Sequence, residues 1–162
     1  MQSFTAVARA LADSSRARAL MALRHGELCL CQLIELLGLA PSTVSKHMSV
    51  LVQCGLAEIR KDGRWHYYRL PSATEQPHVQ LALKWCNASL RTEADVQADD
   101  QRIEAIKAMD LQELCRRYKN RANAPGNQGG GHPPLIETAA SERATLGRVP
   151  HKVPKRIPVG AA

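Results

Sequence analysis

The sequence predicts a mainly α-helical protein with one β-hairpin, and three observations predict it. Apolar residues recur at three- and four-residue spacings from the N-terminus to about residue 53, the period of helices buried on one face. One stretch, residues 57–70, breaks that period, with β-branched and aromatic residues on either side of Asp62 and Gly63, a hairpin-turn pair. After Pro71 the helical spacing returns.

Each element has its own signals. Phe4, Val7, Ala8 and Leu11 form the stripe of a short first helix. Asp13, Ser14 and Ser15 signal a cap, and a second helix follows with Ala17, Leu20 and Met21 inward and Gly26 past its end. A third helix is expected from about Leu28 to Leu37, with Leu30, Leu33, Ile34 and Leu37 as its stripe and Gly38 as its stop. Pro41 opens a fourth, because a first-turn residue has no use for its missing N–H. There Val44, Met48, Leu51 and Val52 face inward, and Gly55 ends it. Val79, Leu83, Cys86 and Leu90, with Trp85 beside them, mark a helix after the hairpin. Asp110 and Glu113 form a capping-box pattern that opens a last helix carrying Leu111, Leu114 and Cys115.

The third and fourth helices are joined by three residues, and no carboxylate lies between Pro41 and Gly55, the pattern of a helix-turn-helix. A hairpin with Arg60, Lys61 and Arg64 near its tip follows at once, as a wing does. The fold class expected is thus a winged helix-turn-helix with flanking dimerisation helices. Ser42, Thr43, Ser45, Lys46 and His47 on the fourth helix, and Arg60, Lys61 and Arg64 on the wing, are the expected contacts to bases or phosphates. Ala40 is a poor cap for the fourth helix.

Charge supports a nucleic-acid partner. The chain has 162 residues and a formal charge of +7. Residues 41–70 hold five basic against two acidic residues, and residues 119–162 hold seven against two. Residues 93–113 hold seven acids against two bases, which reads as a surface that avoids phosphate. Three segments are expected: a DNA-binding and sensor domain over 1–90, accessory or dimerising helices over 91–119, and a basic, Gly- and Pro-rich disordered tail over 120–162. The later helices carry more apolar surface than so small a core can cover, and a second copy would cover it. No apolar run approaches the ~18 residues of a membrane span, and no secretory signal opens the chain. A cytoplasmic protein with reduced thiols is expected, without a disulfide scaffold. No phosphate loop or dinucleotide fingerprint points to an enzyme or an organic cofactor.

Leu11-Ala-Asp-Ser-Ser-Arg16, Gly26-Glu-Leu-Cys-Leu-Cys-Gln-Leu33, Ser42-Thr-Val-Ser-Lys-His-Met-Ser-Val-Leu51, Gly55-Leu56, Arg60-Lys-Asp-Gly-Arg-Trp65 and Tyr68-Arg-Leu70 stand in one order. Together they resemble the ArsR/SmtB family of winged-helix metalloregulators, over roughly residues 8–85, and most of all its arsenical repressors. The resemblance implies a homodimer that binds an imperfect inverted repeat in operator DNA. It also implies release when As(III) or Sb(III) binds cysteine thiolates at the start of the first helix of the helix-turn-helix. Cys29 and Cys31 match that site. The common arsenical pattern has a third cysteine where Ile34 stands here, so the third sulfur comes from elsewhere in the dimer, from a small thiol, or not at all. Cys54, Cys86 and Cys115 are the candidates, and each also suits plain packing. No cysteine precedes Cys29, which weighs against the cadmium/lead pattern, and Glu75 and His78 alone do not make a zinc or nickel site. A cadmium/lead-responsive or thiol-redox-responsive repressor of the same fold, and an arsenical-binding protein without regulatory role, are the other readings.

Successive helical residues turn by ~100°, so on an intact helix from Leu28 the two sulfurs point ~200° apart. They are expected to meet on one ion only if that first turn unwinds, which would tilt the recognition helix. Helix N–H groups are expected to favour their thiolates.

Overall fold

The computed structural model describes residues 2–72 and 76–122, with side chains for 3–72 and 76–118. Its elements are α1 (Gln2–Leu11), α2 (Ser14–Ala22), a 3₁₀ turn (Leu23–His25), β1 (Leu28–Cys29), α3 (Leu30–Leu37), α4 (Pro41–Gln53), β2 (Glu58–Asp62), β3 (Trp65–Arg69), α5 (Pro77–Leu90), α6 (Ala94–Lys107) and α7 (Leu111–Ala122). The expected order of helices and hairpin is therefore present. The turn α3–α4 has Gly38 in the left-handed region at φ 66°, and Pro41 stands at the first position of α4 over an Ala40 that makes no side-chain cap.

The expectation about the start of the third helix is corrected. Leu28 and Cys29 are not helical; they form a short strand paired antiparallel with Tyr68 and Tyr67 of β3. The sheet order is β1-β3-β2, so the wing hairpin is anchored to the entrance of the helix-turn-helix. The hairpin turn also lies one residue later than expected: Asp62 pairs with Trp65, and Gly63 and Arg64 form the loop. Gly63 has φ 56°, which costs a glycine least.

One core joins the elements. Leu28, Leu33, Leu36, Val44, Met48, Leu51, Leu56, Val79, Ile103 and Leu114 are each under 2% exposed. Burial of such a side chain stabilises by about 1.5–3 kcal/mol, so α6 and α7, which supply Val96, Ile103, Ile106, Leu114 and Tyr118, are bound to the helix-turn-helix through the same apolar cluster. Asp13 caps α2 as expected, accepting from the Arg16 N–H at 2.9 Å. Asp110 caps α7, accepting from the Glu113 N–H at 2.7 Å.

Two of the seven acids in the acidic segment, Asp99 and Asp100, are used within the fold. Arg18 donates to both oxygens of Asp99 at 2.8 Å, and Asp99 is only 4% exposed. Arg24 donates to both oxygens of Asp100, and His25 Nε2 lies 2.7 Å from the same group. Two acids of α6 thus dock it onto α2 and the 3₁₀ turn. In return Arg102 donates to the Glu35 and Leu36 carbonyls and Lys107 to the His25 carbonyl. Cations at the C-terminal carbonyls of α3 complement its dipole.

Some apolar side chains face outward. Val7 and Ala10 of α1 are buried, but Phe4, expected in the inward stripe, is 64% exposed. On α5, Val79 and Cys86 are buried and Leu83 and Leu90 are half-buried, while Leu81 and Trp85 are 66% and 63% exposed. Helix α7 continues to Ala122, three residues into the expected tail; the rest of that segment, 123–162, and Glu75 lie outside the described residues.

Candidate sulfur site and nucleic-acid interface

Three cysteines meet at one place. Cys29 ends β1 and precedes α3, Cys31 lies in the first turn of α3, and Cys115 lies on α7. Their Sγ atoms are all within 4.8 Å of one another. Cys31 and Cys115 are joined as a disulfide across a sequence separation of 84, contrary to the expectation that every cysteine would be a free thiol. Cys29, Cys54 and Cys86 are free and buried. Of the three candidate third sulfurs, Cys115 is beside the pair, whereas Cys54 caps α4 and Cys86 packs on α5.

The local backbone explains how Cys29 and Cys31 approach. Cys29 is extended, with φ −79° and ψ 158°, so the ~200° separation expected on a continuous helix does not apply. No turn has to unwind to bring the sulfurs together. Gln32 fixes this geometry: it is 6% exposed, and its Oε1 accepts from the Cys29 N–H at 2.8 Å. This is the return half of a capping box with Cys29 at the cap position. The sequence contained that signal, a polar amide three residues after a cap, but a cysteine in the cap position hid it.

Electrostatics also differ from expectation. Burial pushes the Cys29 thiol pKa up, and the backbone N–H groups of Gln32 and Cys31 offset this only in part. Burial also raises Cys54 and Cys86. The cluster opens into a cleft of about 780 Å³ between α3, the wing and α7, where Trp65, His66, Gln112 and Arg116 line the walls. The donor set fits a soft trivalent ion once the three sulfurs are thiolates, because such ions prefer sulfur to oxygen or nitrogen.

On α4 the inner and outer faces separate as expected. Val44, Met48 and Leu51 are fully buried. Ser42 and Lys46 are exposed, and Thr43, Ser45 and His47 are half-buried on the other side. In the wing the three cations differ. Lys61 and Arg64 are exposed, with Arg64 5.1 Å above the Trp65 ring. Arg60 instead donates to both oxygens of Glu27 and to Asp62, and lies 4.5 Å over Tyr67. Glu27 holds Arg60 protonated, and Arg60 in turn lowers the Glu27 pKa. Sequence reasoning missed Glu27, whose partner lies 33 residues away.

A polar recognition-type helix, a hairpin wing beside it and a shared small core define a winged helix-turn-helix DNA-binding protein. Residues 13–58 match the family model of bacterial regulatory proteins of the arsR family. The chain is 33% identical over 108 residues to the arsenic resistance transcriptional regulator ArsR1 of Pseudomonas putida, covering 66% of this chain and 78% of that protein. It is 40% identical over 79 residues to the arsenical resistance operon repressor of Staphylococcus aureus, covering 49% and 76%. It is 35% identical over 77 residues to a cadmium resistance regulator homologue of Staphylococcus aureus, covering 47% and 64%. The chain belongs to the ArsR family and is a regulator of transcription, not an enzyme. Among the described residues no helix is long and apolar enough to cross a membrane.

Proposed function

We propose that the protein is a cytoplasmic, homodimeric repressor of an arsenic or antimony resistance operon, released from an imperfect inverted repeat when As(III) or Sb(III) binds. The observation that carries this reading is the meeting of Cys29, Cys31 and Cys115 within 4.8 Å. Relatives that are arsenic resistance regulators support it. Reduced, the three residues would hold the ion through three thiolates, with three hydroxides of arsenous acid leaving as water.

The chain's own residues suggest how occupancy reaches DNA. Cys29 belongs to a strand paired with the wing, Cys31 to the first helix of the helix-turn-helix, and Cys115 to α7. Drawing the three sulfurs together fixes the wing strand and α3 against α7, and so sets the angle between wing and α4. An arrangement that suits the sulfurs need not suit two half-sites. Since the ion then favours the form that binds DNA less well, linkage requires DNA to weaken ion binding by the same factor. Ser42, Thr43, Ser45, Lys46 and His47 form the groove-facing surface in this reading, and Lys61 and Arg64 the wing's phosphate contacts. Phe4, Leu81 and Trp85 supply the apolar face for the second subunit, since α1 and α5 pack side by side.

The test is fluorescence anisotropy of the reduced protein on its inverted repeat, titrated with arsenite, cadmium and zinc. Arsenite should release the wild type, and Cys29→Ser, Cys31→Ser and Cys115→Ser should each stay bound. Release by cadmium or zinc but not by arsenite would overturn the reading.

A further inference from the structure

We propose that Cys31 and Cys115 are a site of oxidative modification, and that their disulfide holds the repressor in a DNA-binding form that does not respond to arsenite. This rests on the assignment of the three sulfurs to As(III). The two sulfurs are bonded in the structure, while Cys29, within 4.8 Å of both, is left out of the bond. Cys31 and Cys115 are half-buried and line the open cleft, whereas Cys29 is 1% exposed, so a small oxidant reaches the bonded pair first. No refolding is needed to bring them together. Leu114, next to Cys115, is fixed in the core, and Tyr118 bonds to Glu35 of α3.

The chemistry balances with a hydroperoxide as oxidant. One thiolate attacks the outer peroxide oxygen, giving a sulfenic acid and releasing, once protonated, the alcohol of an alkyl hydroperoxide or water from hydrogen peroxide. The second thiolate attacks that sulfur, forming the S–S bond and releasing water. Two thiols are oxidised and one peroxide is reduced.

Two consequences follow from which sulfurs are used. Only one of three donors remains, so three-thiolate binding of As(III) is lost. The bond also ties α3 to α7 without engaging Cys29, so strand β1 and the wing paired with it are not drawn in. Oxidation should therefore keep the protein on DNA, opposite to the effect of the ion.

The experiment uses the full chain, oxidised with stoichiometric hydrogen peroxide and freed of excess. Alkylation in denaturant should show the five cysteines fall to three free thiols, and peptide mass spectrometry should place the bond at Cys31–Cys115. Anisotropy should show DNA affinity within about twofold of the reduced protein, while arsenite sensitivity falls by at least about tenfold. A phosphine reductant should restore it. A Cys54→Ser/Cys86→Ser variant should behave as the wild type. A different disulfide, release of DNA on oxidation alone, or unchanged arsenite sensitivity after oxidation would each overturn the proposal. If the reduced protein ignores arsenite, the As(III) assignment fails first, and this proposal with it; mass spectrometry still reports the disulfide separately.

Discussion

At the scale of single residues, two side chains decide more than their composition suggests. Gln32 orients Cys29, and Glu27 holds a wing arginine away from solvent anions. Arg60 was expected among the DNA contacts, yet both oxygens of Glu27 and one of Asp62 already occupy its guanidinium. An exposed pair of this kind contributes little to stability, so its effect belongs to binding. Glu27→Gln should release Arg60 toward phosphate, raising DNA affinity several-fold at low salt and steepening the salt dependence by about one phosphate contact. Anisotropy across a salt series checks this; an unchanged slope would mean Arg60 stays withdrawn for another reason. Residue-level reading of the sequence worked where chemistry is local. Cys29 and Cys31 were legible as a pair, and Asp13 and Asp110 as caps, because each acts within a few positions. Cys115 could not be chosen over Cys54 and Cys86, because its approach to Cys31 spans 84 residues and depends on how α7 packs.

At the scale of elements, β1 is the main difference between expectation and structure. Leu28 and Cys29 carry apolar side chains that suit a helix start equally well, and a two-residue strand has no period to read. Tertiary pairing with Tyr67 and Tyr68 decided it. The consequence is that Cys29 lies on a strand of the wing sheet, so the proposed site would need no helix unwinding to reach the wing. Helix α4 was legible nearly throughout, since Pro41, the buried Val44, Met48 and Leu51, and the glycine stop act within the segment itself. Two of the acids, Asp99 and Asp100, have a docking role that net charge does not reveal, because Arg18 and Arg24 lie about 80 residues earlier. Helix α7 carries Cys115, and its cap is Asp110. Asp110→Ala should cost about 1 kcal/mol of helix stability. Fraying there should weaken arsenite binding several-fold while DNA affinity holds. Arsenite titration and thermal unfolding of the reduced variant would measure the two effects separately.

At the scale of the whole molecule, exposed apolar surface and coupling between sites are what matter. Phe4, Leu81 and Trp85 are large, exposed and carried on two neighbouring helices, α1 and α5. Large apolar side chains left exposed on neighbouring helices suit an interaction surface. Leu81→Glu with Trp85→Glu should leave a folded monomer by sedimentation. That monomer should lose most of its affinity for a two-half-site operator, because both recognition helices are then no longer tethered. A variant that remains dimeric would place the interface elsewhere.

In the proposed site, Cys115 completes the set begun by Cys29 and Cys31. Arsenic X-ray absorption of the reduced protein with one equivalent of arsenite per subunit tests it most directly. Arsenic should have three sulfur neighbours and no oxygen in the wild type, and two sulfurs plus an oxygen in Cys115→Ser. Three sulfurs in both proteins, or two sulfurs and an oxygen in both, would contradict it.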